Sequence, residues 1–329
     1  MNAGAGGTVV VAVGDGTTGH ALDWAAAEAA VQRCRLLVVH AEPLPWVVDP
    51  CGCVPAADFS SSRVAAENVL QMAVCRARSV ATDVEISTAL AFGRPVPSLL
   101  SRSRGARLLV LGSRSRPIQS RLTDRLPLSV CDRVARRARC PVAMVRPLQT
   151  EPHAGASPRV VVGIDGRGSC AAVLGVAFRA AAQRALPLTA VPVWALHGPA
   201  DHEAMWSSAG ASEASVKERL DEALAPFRSR FADVPVATLS PGADPAAVLI
   251  RESVGAALLV VGTRGRAARS RLSHVAGRTV ARWARCPVVL VPSGKDAADA
   301  HAGSGRRAAL SGTDPTGIEP VQRPRTPWE

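Results

Sequence analysis

The chain has 329 residues, of which 47% are apolar and only 3% aromatic, with no Tyr, eight Cys and a formal net charge of +12. That length accommodates two domains of ordinary size, each with a core able to stand alone, and the composition describes cores of Val, Leu and Ala between parallel strands and small-faced helices. No window reaches an uninterrupted transmembrane length and no charged-then-apolar leader opens the sequence, so neither a membrane span nor export is expected and the reading is cytoplasmic.

Taken in order, residues 8–13 (TVVVAV) read as a strand, followed by Gly14-Asp15-Gly16-Thr17-Thr18-Gly19 and an alanine-rich helix from Ala21 to Val31. A second strand spans Leu36–Ala41, and Glu42–Ser62 reads as a polar, Pro-containing loop. A helix over Val64–Arg78 places Val64, Val69, Leu70 and Val74 near helical spacing. A weak strand at Val84–Thr88, a short helix at Pro97–Ser103 and a buried strand at Arg107–Leu111 follow. An Arg-rich loop, a helix at about Ser129–Ala138 and a strand in CPVAMVRP, 140–147, close this half. Residues 148–157, rich in Pro, Gly and Ser, read as a linker.

The order then restarts: a strand at Arg159–Ile164, a helix at Ser169–Arg184, a strand at Leu188–Trp194, a loop to Glu213 and a helix at Ala214–Phe231. A strand at Val234–Leu239, a helix at Pro245–Ser253, the strand and loop LLVVGTRGR at 258–266, a helix at about Leu272–Ala284 and the strand CPVVLVPS at 286–293 complete it. The copies match where Asp15 aligns with Asp165, Gly112 with Gly262, and Cys140-Pro141-Val142 with Cys286-Pro287-Val288, the shorter first turn leaving Asp15 open by a residue or two. This alternation predicts two tandem Rossmann-like α/β sandwich domains, 1–147 and 158–293, each with a five-stranded parallel sheet and helices on both faces. Residues 294–329 hold almost no large apolar side chains and read as a disordered tail.

The positive charge is concentrated. Residues 112–139 hold eight Arg against two Asp, and residues 262–285 hold seven Arg and no acid, which accounts for the whole net charge. Both segments follow the repeated strand, at the sheet end where open α/β folds bind ligands. The eight Cys include no C-x-x-C pair, and Cys51-Gly52-Cys53 is too closely spaced for a zinc site, so neither a disulfide framework nor a metal centre is predicted. No Walker lysine is available, because Lys217 and Lys295 are the only lysines, and no His has a nucleophile partner in sequence, so the reading is not an enzyme. Gly14-Asp15-Gly16-Thr17-Thr18-Gly19 taken alone fits a dinucleotide fingerprint, but the matching turn at 163–169 lacks that spacing. The Arg-rich loops also fit a protein or nucleic-acid interaction module, although only Trp283 is near enough for base stacking and nucleic acid is not the expected partner.

VVVGIDGRGSCAAVLGVAFRAAAQRALPLTAVPVW at 160–194, LLVVGTRGR and ARCPVVLVPS together resemble the universal stress protein family, and the first half resembles it in more diverged form. The resemblance implies a tandem protein of the actinobacterial type with strand order 3-2-1-4-5 in each domain, an adenine-nucleotide (ATP) site, and a meeting of last strands, in a homodimer or as an intrachain pseudo-dimer. By that resemblance the second-half site comprises Asp165, Val193, Gly262, Thr263, Arg264, Gly265 and Arg266, and the first-half site Asp15, Gly112, Ser113 and Ser129. The family's closing G-(S/T) pair is absent from the second half, where Val275 or His274 falls on it, and only the hydroxyl of Ser129 remains in the first. Glycines there let backbone N–H groups approach phosphate, so the nearby Arg side chains would have to take over part of that contact.

Overall fold

In the computed structural model, which describes residues 7–14, 19–42, 46–49, 52–55, 60–113, 129–147, 157–164, 170–193, 213–240, 244–263 and 279–292, the two copies become two half-sheets fused into one. The first half contributes β1 (Thr8–Val13), α1 (Gly19–Val31), β2 (Arg35–Glu42), β3 (Trp46–Asp49), β4 (Gly52–Pro55), α2 (Ser60–Val80), β5 (Ile86–Phe92), α3 (Pro95–Arg102), β6 (Ala106–Gly112), α4 (Val130–Ala135) and β7 (Val142–Val145). The second contributes β8 (Val160–Ile164), α5 (Cys170–Arg184), β9 (Leu188–Pro192), α6 (Glu213–Arg230), β10 (Val236–Thr238), α7 (Pro245–Glu252), β11 (Leu258–Thr263) and β12 (Val288–Pro292), with residues 279–283 helical as well. Residues 148–156 of the expected linker, and the expected tail 294–329, lie outside the described residues.

The sheet runs β10-β9-β8-β11-β12-β7-β6-β1-β2-β5. Neighbours are parallel except at the centre, where β12 pairs antiparallel with β7 through Val288↔Met144, Val289↔Ala143 and Leu290↔Val142. Ala143 and Val289 occupy equivalent places in the two copies and pair with each other, so a pseudo-twofold axis passes through them. An antiparallel seam turns the two half-sheets head to tail. Their carboxyl ends, where ligands bind in such sheets, therefore lie on opposite rims of the molecule.

Because the strands are covered on both faces, they read as unbroken apolar runs: Val142–Val145, Val160–Ile164 and Leu188–Pro192 are buried throughout. The core forms two clusters, one per sheet face, and each crosses the seam. One unites Leu22, Val110, Val162, Phe178 and Leu224; the other unites Leu99, Leu109, Val142, Leu249 and Leu259. The expectation of one self-standing core per domain is thus replaced by two cores shared between the halves. A matched detail marks the repeat: buried Ser103 donates to Leu100 O and accepts from Arg139 N–H, and buried Ser253 donates to Ile250 O and accepts from Arg285 N–H. Each serine, at the end of α3 or α7, pins the turn before its half's last strand to that helix end.

A buried polar cluster spans the halves beside the seam. Glu28 on α1 is 4% exposed and accepts from Arg184 at the end of α5, while Gln32 donates to it at 2.5 Å and in turn accepts from Arg107 Nε at 2.7 Å. By the strand register Val9 is equivalent to Val160, and Leu36 to Leu188, so Gln32 and Arg184 are equivalent positions and Glu28 corresponds to Ala180. One carboxylate therefore serves two pseudo-symmetric donors, and alanine stands where a second carboxylate would repel it.

Two sequence expectations change. The loop expected over 42–62 contains the β3–β4 hairpin, in which Trp46 pairs with Pro55 and Asp49 with Gly52, and α2 begins earlier, at Ser60. Val47, Val48 and Val54 suit strands, and proline and glycine beside Cys51 suit the turn between them. The strand expected at 84–88 lies at Ile86–Phe92, because seven residues pair with the long β2 and carry Ala89–Phe92 into a strand that their own propensity would not specify.

Candidate functional site

In the second half the chain leaves β8 at Ile164, between the ends of β9 and β11. Val193 follows β9 and donates its N–H to Ile164 O at 2.8 Å. Gly262 and Thr263 close β11: Leu258–Val261 are buried, Gly262 is exposed, and the Thr263 hydroxyl donates to Val291 O at 3.2 Å. Of the expected second-half set, Val193, Gly262 and Thr263 thus share one sheet end. Asp165, Arg264, Gly265 and Arg266 lie outside the described residues, as does His274.

The floor of this end is tight. A Cβ on Gly163 would stand 3.2 Å from Val261 Cγ1, 3.3 Å from Leu249 Cδ1 and 3.4 Å from Val193 Cγ1. By the register, the equivalent positions in the first half are Ala12 for Gly163 and Ala41 for Val193. Gly with Val in one copy and Ala with Ala in the other are two fillings of one space. Gly163→Ala is expected to destabilise the chain by about 1 kcal/mol through overpacking, and adding Val193→Ala should recover most of that loss in urea unfolding; equal stability of the single and double variants would refute the coupling.

In the first half Gly112 ends β6, and Ser113 donates its N–H to Val145 O at 2.8 Å. The Cys131 thiol donates to Gly112 O at 3.4 Å. Ser129 is the N-cap of α4: its hydroxyl accepts from Asp132 N–H at 3.1 Å, and its own N–H and hydroxyl donate to the Asp132 carboxylate. The hydroxyl assigned to ligand by resemblance is thus occupied in building its helix. Asp15 lies outside the described residues, but the strands leading to it fix the alignment. Val9 and Val160 pair with the equivalent residues Leu108 and Leu258, so Val13 matches Ile164 and Gly14 matches Asp165. Asp15 therefore falls one residue later than its counterpart, which resolves the register the two turns left open.

Two features escape a linear reading. His40, 3% exposed, donates Nδ1–H to Val13 O at 3.0 Å, and its Nε2 lies 3.1 Å from Glu42 Oε2. Residues two apart on a strand share a face, which is the signal that pairs His40 with Glu42. Pro192 and Trp194 hold those places in the other copy, so the dyad belongs to the first half alone. The second feature is Arg146, directly after β7, whose Nε is buried without a hydrogen-bond partner.

Burial pushes the Cys131 thiol up to about 11, and Cys140 and Cys286 each to about 12, so these remain neutral thiols near pH 7. Among the described residues no three or more His, Cys, Asp or Glu gather as a metal site, and no described helix is long and apolar enough to cross a membrane.

Comparison with known proteins matches the Universal stress protein family twice, over residues 7–146 and 157–292. Universal stress protein Rv2005c of Mycobacterium tuberculosis is 31% identical over 291 residues, covering 86% of this chain and 96% of that protein. Universal stress protein Rv2623 of the same species is 29% identical over 293 residues, covering 86% and 95%. A crystal structure of a universal stress protein from Archaeoglobus fulgidus superposes with a TM-score of 0.64 at 16% identity, covering 88% of this chain and 97% of that one, and so shares the fold. With both halves matched in a single sheet, the chain belongs to the universal stress protein family as a tandem of two such domains.

Proposed function

We propose that this universal stress protein acts without catalysis, as a stress-response factor that binds adenine nucleotide (ATP) weakly and chiefly in its second half, with no metal of its own. The observation that carries the reading is the gathering of Val193, exposed Gly262 and Thr263 at the end of β9 and β11, with the next residue after β8 being Asp165. A glycine backbone surfacing at the carboxyl end of a buried parallel strand gives an anionic ligand close access to N–H groups. Bound nucleotide would alter what the protein presents to a partner.

Isothermal titration of ATP into the full chain tests this. Heat of binding is expected for wild type at low-millimolar ATP, and Gly262→Val should weaken it about tenfold or more by blocking that approach, with the fold checked by circular dichroism. No heat in wild type, or equal affinity in the variant, overturns the reading. Electrostatic capture of RNA by the Arg-rich loops is separated by salt, because it weakens steeply as ionic strength rises.

A further inference from the structure

Arg146 stands at the carboxyl end of β7, on the rim where the first half's ligand end lies. Its Nε is buried and makes no hydrogen bond. A buried guanidinium N–H without a partner is uncommon in a folded protein and points to a missing acceptor. Burial holds its pKa below the ordinary arginine value, Arg282 lowers it further, and Cys131 pulls the other way. Cys131, whose thiol meets Gly112 O at the end of β6, and Arg282 of the other half both act on its charge.

The topology places the two arginines at the same end of the seam. Since β7 and β12 run antiparallel, the residue past the end of β7 sits beside the start of β12, where the helical residues 279–283 lead in. Arg282 is exposed, with its guanidinium 5.7 Å from the Trp283 ring centroid, so its head can turn toward a ligand. Residues 279–287 and 140–147 contain no acid, and Asp132 on α4 is engaged in the cap with Ser129. The arrangement occurs once. Across the pseudo-twofold axis Arg282 corresponds to Arg136, but Arg146 corresponds to Pro292, so the opposite rim lacks the buried member of the pair.

We propose that Arg146 and Arg282, one from each half, form a phosphoryl-anion site at the seam, adjoining the Gly112 end of the first half. Two guanidinium groups match a dianion better than a carboxylate, which would neutralise one of them, and both present the forked donors that phosphoryl oxygens accept. The diverged first half thereby receives from its neighbour a cationic contact that its own loop glycines no longer supply. The phosphoryl group is either free phosphate or part of a nucleotide.

Titration of the full chain with inorganic phosphate, and separately with ATP, tests the site. Wild type is expected to show a binding component that Arg146→Met and Arg282→Met each weaken about tenfold or more, while Arg136→Met leaves it unchanged. The ligand carrying that component identifies the source of the phosphoryl group. Stability provides a second readout that does not depend on resolving the heats: the anion should raise the Tm of wild type and not that of Arg146→Met. Without anion, Arg146→Met should melt no lower than wild type, since it removes a buried Nε–H that has no acceptor among the described residues. If neither ligand shows an Arg146-dependent component, or if Arg136→Met weakens binding as much as the other two, the site does not exist. ATP binding that responds to Gly262→Val but not to Arg146→Met would sink this inference and leave the second-half site standing.

Discussion

Phe178→Ala lowers the unfolding free energy of the whole chain by about 4 kcal/mol, measured by urea denaturation followed by circular dichroism. Phe178 lies on α5, fully buried, with its ring 5.5 Å from Phe227 and 5.7 Å from Phe231. Three of the five phenylalanines in a chain without tyrosine thus meet at one point. Truncation to alanine removes a large apolar side chain and leaves a cavity walled by α5, α6 and β8, whose Ala and Val side chains are too short to close it. The cluster containing Phe178 continues across the seam to Leu22 and Val110, so the loss should appear as one shifted transition. A loss below about 1 kcal/mol would mean that the aromatic cluster is not the anchor of this face, and a separate early transition would mean that the two halves unfold independently.

Glu28→Ala destabilises by about 3–5 kcal/mol, because it leaves the Arg184 guanidinium and the Gln32 amide in a buried place without their shared acceptor. Replacing a buried pair by apolar groups costs far less than breaking it, so Glu28→Ala combined with Arg184→Met should return to within about 1 kcal/mol of wild type. The double-mutant cycle in urea measures this directly. Additive losses would show that Arg184 turns out to water when Glu28 is removed, and that the pair does not hold the halves together. The same cycle bears on assembly. A carboxylate answered by alanine across the axis is suited to two unlike halves; in a symmetric dimer of the first half, two Glu28 carboxylates would face each other.

Much of the fold was legible as pattern. Unbroken apolar runs bounded by glycine, with helical periodicity between them, locate the β/α order twice, and Cys140-Pro141-Val142 against Cys286-Pro287-Val288 marks the second closing strand as a copy of the first. The β3–β4 hairpin went unread because a long polar segment with a proline resembles a loop until pairing partners are known. The site was legible only where a backbone requirement leaves a residue type behind. Gly112 and Gly262 are readable because the chain surfaces at those strand ends. Ser129, expected at the ligand, also caps α4, a role its sequence carries too, since a serine three residues before an acid is a capping-box pattern.

By itself the sequence determined that this protein is a tandem α/β repeat with its positive charge placed after the fourth strand of each copy, because strand burial and helix periodicity are local properties written into consecutive residues. Only the tertiary structure decided that the fifth strands pair antiparallel, that the ligand rims point in opposite directions, that Gly14 and not Asp15 matches Asp165, and that Glu28 meets an arginine of the other half. Those facts depend on which edges meet and in what register. Strand pairing is a contact between distant segments, and no periodicity along one segment specifies its partner.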